Sequence, residues 1–242
     1  MHSYFISDLH LTPERPQITQ AFFSFLQQIS NEQMLADKLY ILGDLFEFWI
    51  GDDAATMLGA DPVLDAMGAI SKKIDCYFIA GNRDFLVRNN FSERTGFTIL
   101  QDETVVDLYG TKTLILHGDS LCTDDIAHQQ FRQQMMTNTA FCDNFLNLPI
   151  PQRIEQAKLA RMQSNEHKSQ VSMGIMDVTE SSVINAFAKH NVTQMIHGHT
   201  HRQATHHYKE GALTRIVLGD WDKTSSIMRI DKQGFKIENF AI

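Results

Sequence analysis

The chain has 242 residues, of which 43% are hydrophobic and 21% charged, and it carries a net charge of −8. That length suits a single domain with a sizeable core, and the acidic balance excludes an extended nucleic-acid surface, which needs clustered Lys and Arg. Three widely spaced cysteines, Cys76, Cys122 and Cys142, read as free thiols in a reducing compartment. The first residues already form a strand, leaving no room for a signal peptide, and no apolar run nears the roughly 20 residues that span a bilayer, so the expectation is a cytoplasmic protein.

In chain order, Tyr4-Phe5-Ile6-Ser7 predicts a buried strand running into Asp8-Leu9-His10. Thr12-Pro13-Glu14 marks a turn or helix start, and Ala21, Phe22, Phe25, Leu26 and Ile29 share one helical face. Leu39-Tyr40-Ile41-Leu42 stops at Gly43-Asp44, where glycine lets the backbone turn tightly. A helix over about 62–73 leads to Cys76-Tyr77-Phe78-Ile79-Ala80 and then Gly81-Asn82-Arg83-Asp84. Strand, helix, strand, helix, strand is the order of a parallel sheet with crossover helices.

Thr113-Leu114-Ile115-Leu116 repeats the pattern into His117-Gly118-Asp119, as does Gln194-Met195-Ile196 into His197-Gly198-His199-Thr200-His201. Between them, over about 123–175, strand-like runs vanish. Phe131, Met135, Phe141, Phe145, Leu146 and Leu148 precede a break at Pro149-Ile150-Pro151, and Ile154, Ala157, Leu159, Ala160 and Met162 follow it. The segment is too long for a plain crossover and reads as a helical insertion, either an ordinary surface helical pair or a lid over the strand ends. A further helix over 179–189, then strands over 213–218, 226–230 and 235–240 with antiparallel neighbours, complete one α/β domain across residues 1–242.

Five strands thus deliver Asp, Asn or His at their C-terminal ends, the edge where α/β sheets bind ligands. Asp8 and His10, two apart, face the same side. Asp8, His10, Asp44, Asn82, His117, His199 and His201 form a mixed oxygen and nitrogen set that suits Mn²⁺, Zn²⁺ or Fe²⁺. Seven candidates exceed one ion, whereas two ions sharing a carboxylate would use them all and clamp a phosphoryl transfer. His197 falls outside the pattern as a structural or supporting residue, and His2, His128, His167, His190, His206 and His207 lack such a setting.

These motifs resemble the calcineurin-like metallophosphoesterase superfamily. The resemblance implies a four-layer αββα sandwich around a dinuclear centre: one ion held by Asp8, His10, Asp44 and His201, the other by Asp44, Asn82, His117 and His199, with Asp44 bridging. Where most members carry Asn-His, this chain has Asn82-Arg83. Arginine cannot donate a proton but can hold a phosphate, which points to a leaving group that departs unprotonated and so to a pyrophosphate substrate.

Asp8-Leu9-His10-Leu11, Gly43-Asp44-Leu45-Phe46-Glu47, Gly81-Asn82-Arg83-Asp84-Phe85, the run from His117 to Asp125 and Ile175-Met176-Asp177-Val178 resemble one branch of that superfamily. Its members are pyrophosphatases that cleave UDP-2,3-diacylglucosamine in the lipid A synthesis of Gram-negative bacteria. The branch implies two Mn²⁺, water attack at the α-phosphorus releasing UMP and 2,3-diacylglucosamine 1-phosphate, and peripheral attachment to the cytoplasmic face of the inner membrane. It implies catalytic roles for Asp44, Asn82, Arg83 and His117, and substrate contacts at Asn82, Arg83, Asp125, Ser164, Lys168 and His199. The insertion departs from the pattern, with Lys168 where the branch has Asn and Val171 where it has Lys. Arg161 is a further candidate phosphate contact. A different dinuclear phosphodiesterase or dinucleoside polyphosphate hydrolase would share every metal ligand, and a non-catalytic scaffold would need ligands that are lost.

Overall fold

Strands form where apolar residues continue on both faces, because both faces are covered. A computed structural model describes residues 2–31, 33–170 and 175–242, apart from the side chains of residues 163 and 165–170. In it β1 (Ser3–Ile6), β2 (Lys38–Leu42), β3 (Asp75–Ile79) and β4 (Thr98–Leu100) run parallel, with α1 (Pro16–Ser30) and α2 (Asp61–Ile70) as crossovers and α3 (Asn89–Thr95) leading into β4. Pro16 opens α1, where its missing N–H costs nothing. Gly96 ends α3 in a left-handed conformation with φ 69°.

The second sheet starts with the hairpin β5 (Thr104–Leu108) and β6 (Thr111–Ile115). A long helical stretch follows: α4 (Ile126–Phe131), a π-helical turn (Arg132–Met136), α5 (Thr139–Leu146), α6 (Ile150–Gln170) and α7 (Glu180–His190). The chain then adds β7 (Gln194–His197), β8 (Ala204–Tyr208) and β9 (Leu213–Val217), and returns to the first sheet as the antiparallel pair β10 (Thr224–Asp231) and β11 (Gly234–Ala241). The sheet orders are β11-β10-β1-β2-β3-β4 and β5-β6-β7-β9-β8.

Alternation along each strand feeds separate cores. Tyr4, Ile6, Leu39, Ile41, Cys76 and Phe78 pack with α1 and α2 on one side, while Phe5, Tyr40, Leu42 and Ile79 meet Ile115, Ile196 and Ile216 between the sheets. Leu114, Leu116 and Met195 pack against Val183 and Phe187 of α7. Helix, sheet, sheet, helix is therefore the layer order. Phe5, Tyr40 and Tyr77 stack across three strands at 4.6 and 4.7 Å, fixing their register.

Two expectations are corrected. The strands over 213–218 and 226–230 are not neighbours: β9 pairs with β7 and β8, and β10 with β1 and β11. The stretch before Pro149 is not one helix, because Asn138 accepts from the Phe141 amide at 3.1 Å and starts a new one. Short, half-exposed β4, β5 and β8 carry too few buried residues to stand out in the sequence.

Candidate metal centre

The loops after the strands are tied to one another before any side chain is considered. Asp8 N–H donates to Gly43 O at 3.1 Å, His10 N–H to Asp44 O at 3.0 Å, and Gly198 N–H to His117 O at 2.9 Å. The buried Asp84 carboxylate accepts from the amides of Gly81 at 2.7 Å, Leu45 at 2.7 Å, Asp44 at 3.3 Å and Phe46 at 3.4 Å. Asp44 Oδ1 accepts from Arg83 N–H at 2.8 Å, and Asp8 Oδ2 from His199 N–H at 2.9 Å. Asp8, His10, Asp44, His199 and His201 all sit at positive φ, between 49° and 65°. Strain of that kind in non-glycine residues persists only where the surroundings enforce it, and it gathers at functional sites.

The seven side chains predicted as ligands converge on one place. His10 Nε2 and His201 Nε2 are 3.3 Å apart, His201 Nε2 lies 3.2 Å from Asp8 Oδ1, and His10 Nδ1 lies 4.0 Å from Asp44 Oδ2. On the other side of Asp44, its Oδ1 is 3.6 Å from His117 Nε2. His117 Nε2 and His199 Nδ1 stand 3.1 and 3.0 Å from Asn82 Oδ1 and 3.2 Å from each other. Ligand atoms of Asp8, His10 and His201, and of Asp8, Asp44 and His117, fall within 4.8 Å of one another in each group.

The donor set fits divalent cations. Among the described residues His10 Nδ1 is buried with no hydrogen-bond partner, and Asp8 Oδ1 is buried with only the His201 ion-pair contact beside it, a cost that coordination would offset. His117 Nδ1 lies 2.8 Å from Leu42 O, which turns Nε2 toward the group, the outer support that metal-ligating histidines usually have. His201 Nδ1 is similarly backed by Asp220 at 3.3 Å.

The family model for calcineurin-like phosphoesterases matches residues 1–203. The chain belongs to this family. Among curated relatives, the UDP-2,3-diacylglucosamine hydrolase of Stenotrophomonas maltophilia (strain K279a) is 47% identical, covering 100% of this chain and 99% of the relative. The protein of that name from Xanthomonas campestris pv. campestris (strain ATCC 33913) is 44% identical with full coverage of both. Among solved structures, that of an archaeal phosphodiesterase aligns over 100% of both chains with a TM-score of 0.51 at 12% identity, a likeness of fold. Divalent metal binding follows from the family together with the Asp and His grouping.

Within this phosphoesterase the ligands titrate in opposite directions. Burial pulls His117 down, but Asp44 and Asp8 outweigh it and push it up to about 9. Burial likewise opposes the rise of His201 to about 10, which Asp8 and Asp220 cause. Burial lowers His10, and burial with the charge of His117 holds His199 well below its ordinary value. Burial raises Asp8, yet His201, His117 and His10 hold its carboxyl well below the usual range.

His197 is not in the group. Its Nδ1 lies 2.8 Å from Gly198 O and its Nε2 3.1 Å from Arg215 Nη1, so both nitrogens are used elsewhere. Arg83 stands beside the group, its Nε 3.9 Å from Asp44 Oδ2 and, among the described residues, buried without a hydrogen-bond partner. Asp125 is buried and caps α4, accepting from His128 N–H at 3.0 Å. Arg161 pairs with Glu47, whose other oxygen is 3.7 Å from His10 Nδ1. Ser164 is half-buried on the same helix, one turn on; the Lys168 side chain and Val171 lie outside the described residues.

The apolar residues of the segment divide. Phe141, Phe145 and Leu146 are half-buried and pack against the main core, whereas Leu159 and Met162 are exposed. Sequence reasoning missed Glu47, Asp84, Asp102, Asp119, His128 and Arg132. Asp84, Asp119 and Glu47 carried a signal, as the ends of the Gly81-Asn82-Arg83-Asp84, His117-Gly118-Asp119 and Gly43-Asp44-Leu45-Phe46-Glu47 runs.

Proposed function

We propose that this phosphoesterase hydrolyses the pyrophosphate of UDP-2,3-diacylglucosamine, with water attacking the α-phosphorus to give UMP and 2,3-diacylglucosamine 1-phosphate. The observation that carries the reading is the complete seven-residue group beside an arginine, in a chain 47% identical over its whole length to a relative named for that substrate. Two ions are proposed, one with Asp8, His10, Asp44 and His201 and one with Asp44, Asn82, His117 and His199, and Mn²⁺ is the proposed metal. Divalent ions there supply charge stabilisation and a lowered pKa for water.

The chain's own residues do the rest. Asn82 and Arg83 would bind the pyrophosphate, Arg83 through its Nε, which makes no hydrogen bond among the described residues, neutralising charge as it builds on the leaving side. Because a guanidinium gives up no proton at working pH, the sugar phosphate leaves as the anion, which a phosphate does readily. His199 and Arg161 would face the same group, Arg161 with its Nη1 buried and unpartnered among the described residues. Asp125, Ser164 and Lys168 would meet the sugar side.

The helices between β6 and β7, over about 123–175, would cover the strand ends as a lid, with Leu159 and Met162 toward the acyl chains. Among the described residues no helix is long and apolar enough to cross a membrane. Attachment at the cytoplasmic face of the inner membrane is proposed as peripheral, and flotation with substrate-bearing vesicles tests it: protein left at the bottom at both low and moderate salt would contradict it.

The central experiment measures UMP release by metal-stripped protein with and without added Mn²⁺, beside Asn82→Ala and a simple phosphodiester. Restoration by Mn²⁺, little turnover of the diester and a loss of at least about 10²-fold in Asn82→Ala are expected. Turnover of the diester alone would retain the centre and reject the lipid substrate.

A further inference from the structure

Behind His117 and His199 lies a set of side chains that no step above uses. Asp119 follows His117-Gly118 and is 1% exposed. Arg132, at the start of the π-helical turn, donates from Nε to Asp119 Oδ2 at 3.0 Å and from Nη2 to Asp102 Oδ2 at 2.7 Å. The other oxygen of Asp102 accepts from the His117 backbone N–H at 3.3 Å. His128 of α4 brings Nε2 to 3.6 Å from Asp119 Oδ2 and lays its ring against that of His199, centroids 5.2 Å apart at 35°. The His117 and His199 rings meet edge to face at 5.0 Å. Gln129 donates to the carbonyls of Asp119 at 2.9 Å and Cys122 at 3.0 Å, fixing α4 against the loop.

One guanidinium therefore spans two carboxylates, Asp119 buried and Asp102 partly exposed. Through Asp102 it reaches the backbone of His117, and through Asp119 and His128 it reaches the face of His199. π-helical turns recur at functional sites because the extra residue re-aims a side chain, and here that turn begins at Arg132. An ordinary surface ion pair would contribute little, but a partly buried guanidinium that bridges two carboxylates through separate charge-assisted bonds fixes positions as well as charge.

We infer that Arg132 is a positioning residue for the Asn82, His117 and His199 half of the site, so that the first helix of the inserted segment frames the metal centre instead of merely covering it. This rests on the proposed metal-dependent hydrolysis. Arg132 touches neither the proposed substrate contacts nor the ligand group; it acts through Asp102, Asp119 and His128. Another tie of the segment serves as contrast. Arg153 of α6 donates to Ile50 O at 2.6 Å and pairs with Asp53, and neither acceptor touches a ligand.

The test is Mn²⁺ titration of the metal-stripped full chain without substrate, by electron paramagnetic resonance and calorimetry, for wild type, Arg132→Gln, Arg132→Lys, Asp102→Asn and Arg153→Met. Arg132→Gln should weaken one of the two binding steps by roughly 10- to 100-fold, the range for outer supports of metal ligands, and leave the other unchanged. UMP release should lose kcat with KM retained. Arg132→Lys should recover part of the affinity, since an ammonium supplies charge but cannot span both carboxylates. Arg153→Met should lower the melting temperature and leave both metal steps alone. Asp102→Asn preserves shape and should weaken the same step less, which keeps the inference testable if Arg132→Gln does not fold. Two wild-type binding steps in both Arg132→Gln and Asp102→Asn would overturn it. Failure of the wild type itself to bind Mn²⁺ would instead overturn the proposed function.

Discussion

At the strand ends Asp8, Asp44 and His117 are almost wholly buried and their loops are bound to one another through the backbone, whereas along α6 Leu159 and Met162 stand 53% and 67% exposed. Between β6 and β7 the helical segment meets the body through side chains: Arg132 to Asp102 and Asp119, Arg153 to Ile50 and Asp53, Arg161 to Glu47. Chemistry that needs ligands held within fractions of an ångström sits on the first kind of support. A surface that must admit lipid chains can sit on the second, where α6 turns apolar side chains to solvent.

The largest effect should come from disturbing the backbone support. A Cβ on Gly81 would overlap the Asp44 carboxylate and crowd the Asp44 amide, whereas one on Gly110 would meet nothing within 4 Å. Gly81→Ala should therefore lower UMP release by at least about 10²-fold, the scale of a misplacement near 1 Å. Gly110→Ala, at φ 97°, should cost about 1–2 kcal/mol of backbone strain and leave turnover intact. Assays of turnover and denaturant midpoint on the pair separate the two outcomes, and full activity in Gly81→Ala would break the comparison.

The second effect is on the side-chain support. Arg153 is 2% exposed and its Nη1 supplies a bond to Ile50 O. Arg153→Ala leaves that carbonyl unpaired and a void beside Gly51, costing about 2–3 kcal/mol in a denaturant titration. If the helices are held mainly by such ties, turnover of the acylated substrate should fall more than turnover of a simple diester. Equal losses would mean that the segment does not contribute to substrate choice.

This division also explains what was legible in the sequence. Apolar runs ending in Gly43-Asp44, Gly81-Asn82, His117-Gly118 and Gly198-His199 announce the strands, their ends and the ligands together, because local backbone geometry and a two-residue alternation suffice to set them. Asp102 stays hidden, and Asp119 shows its place in the His117-Gly118-Asp119 run but not its role, since both act only after Arg132, a residue 13 or more positions later, has folded back onto them. His128 looked as solvated as His190 in the sequence; only the approach of α4 puts its ring on His199. The break at Asn138 was missed for a different reason: Asn is common in helices and turns alike, and its capping bond depends on the path of the chain on either side.

His197 provides the smallest and sharpest comparison, since it ends β7 two residues before His199 yet makes no ligand. Burial, followed by the charge of Arg215, pushes its pKa down to about 3, so the imidazole is neutral, donating from Nδ1 to Gly198 O and accepting at Nε2 from Arg215. An unfolded histidine titrates near 6.5. Protons therefore bind the unfolded chain preferentially between those values, and the stability contributed by the neutral imidazole is complete above pH 6.5 and is lost progressively as pH falls toward 3. Glutamine can make both bonds without titrating. Between pH 7 and pH 5 the wild type should lose up to about 2 kcal/mol more stability than His197→Gln, measured as the difference between denaturant titrations so that shifts at His117 and His201 cancel. Identical losses in the two proteins would show that this imidazole titrates in the folded chain as it does in the unfolded one, and the contrast between His197 and its ligand neighbour would then need another basis.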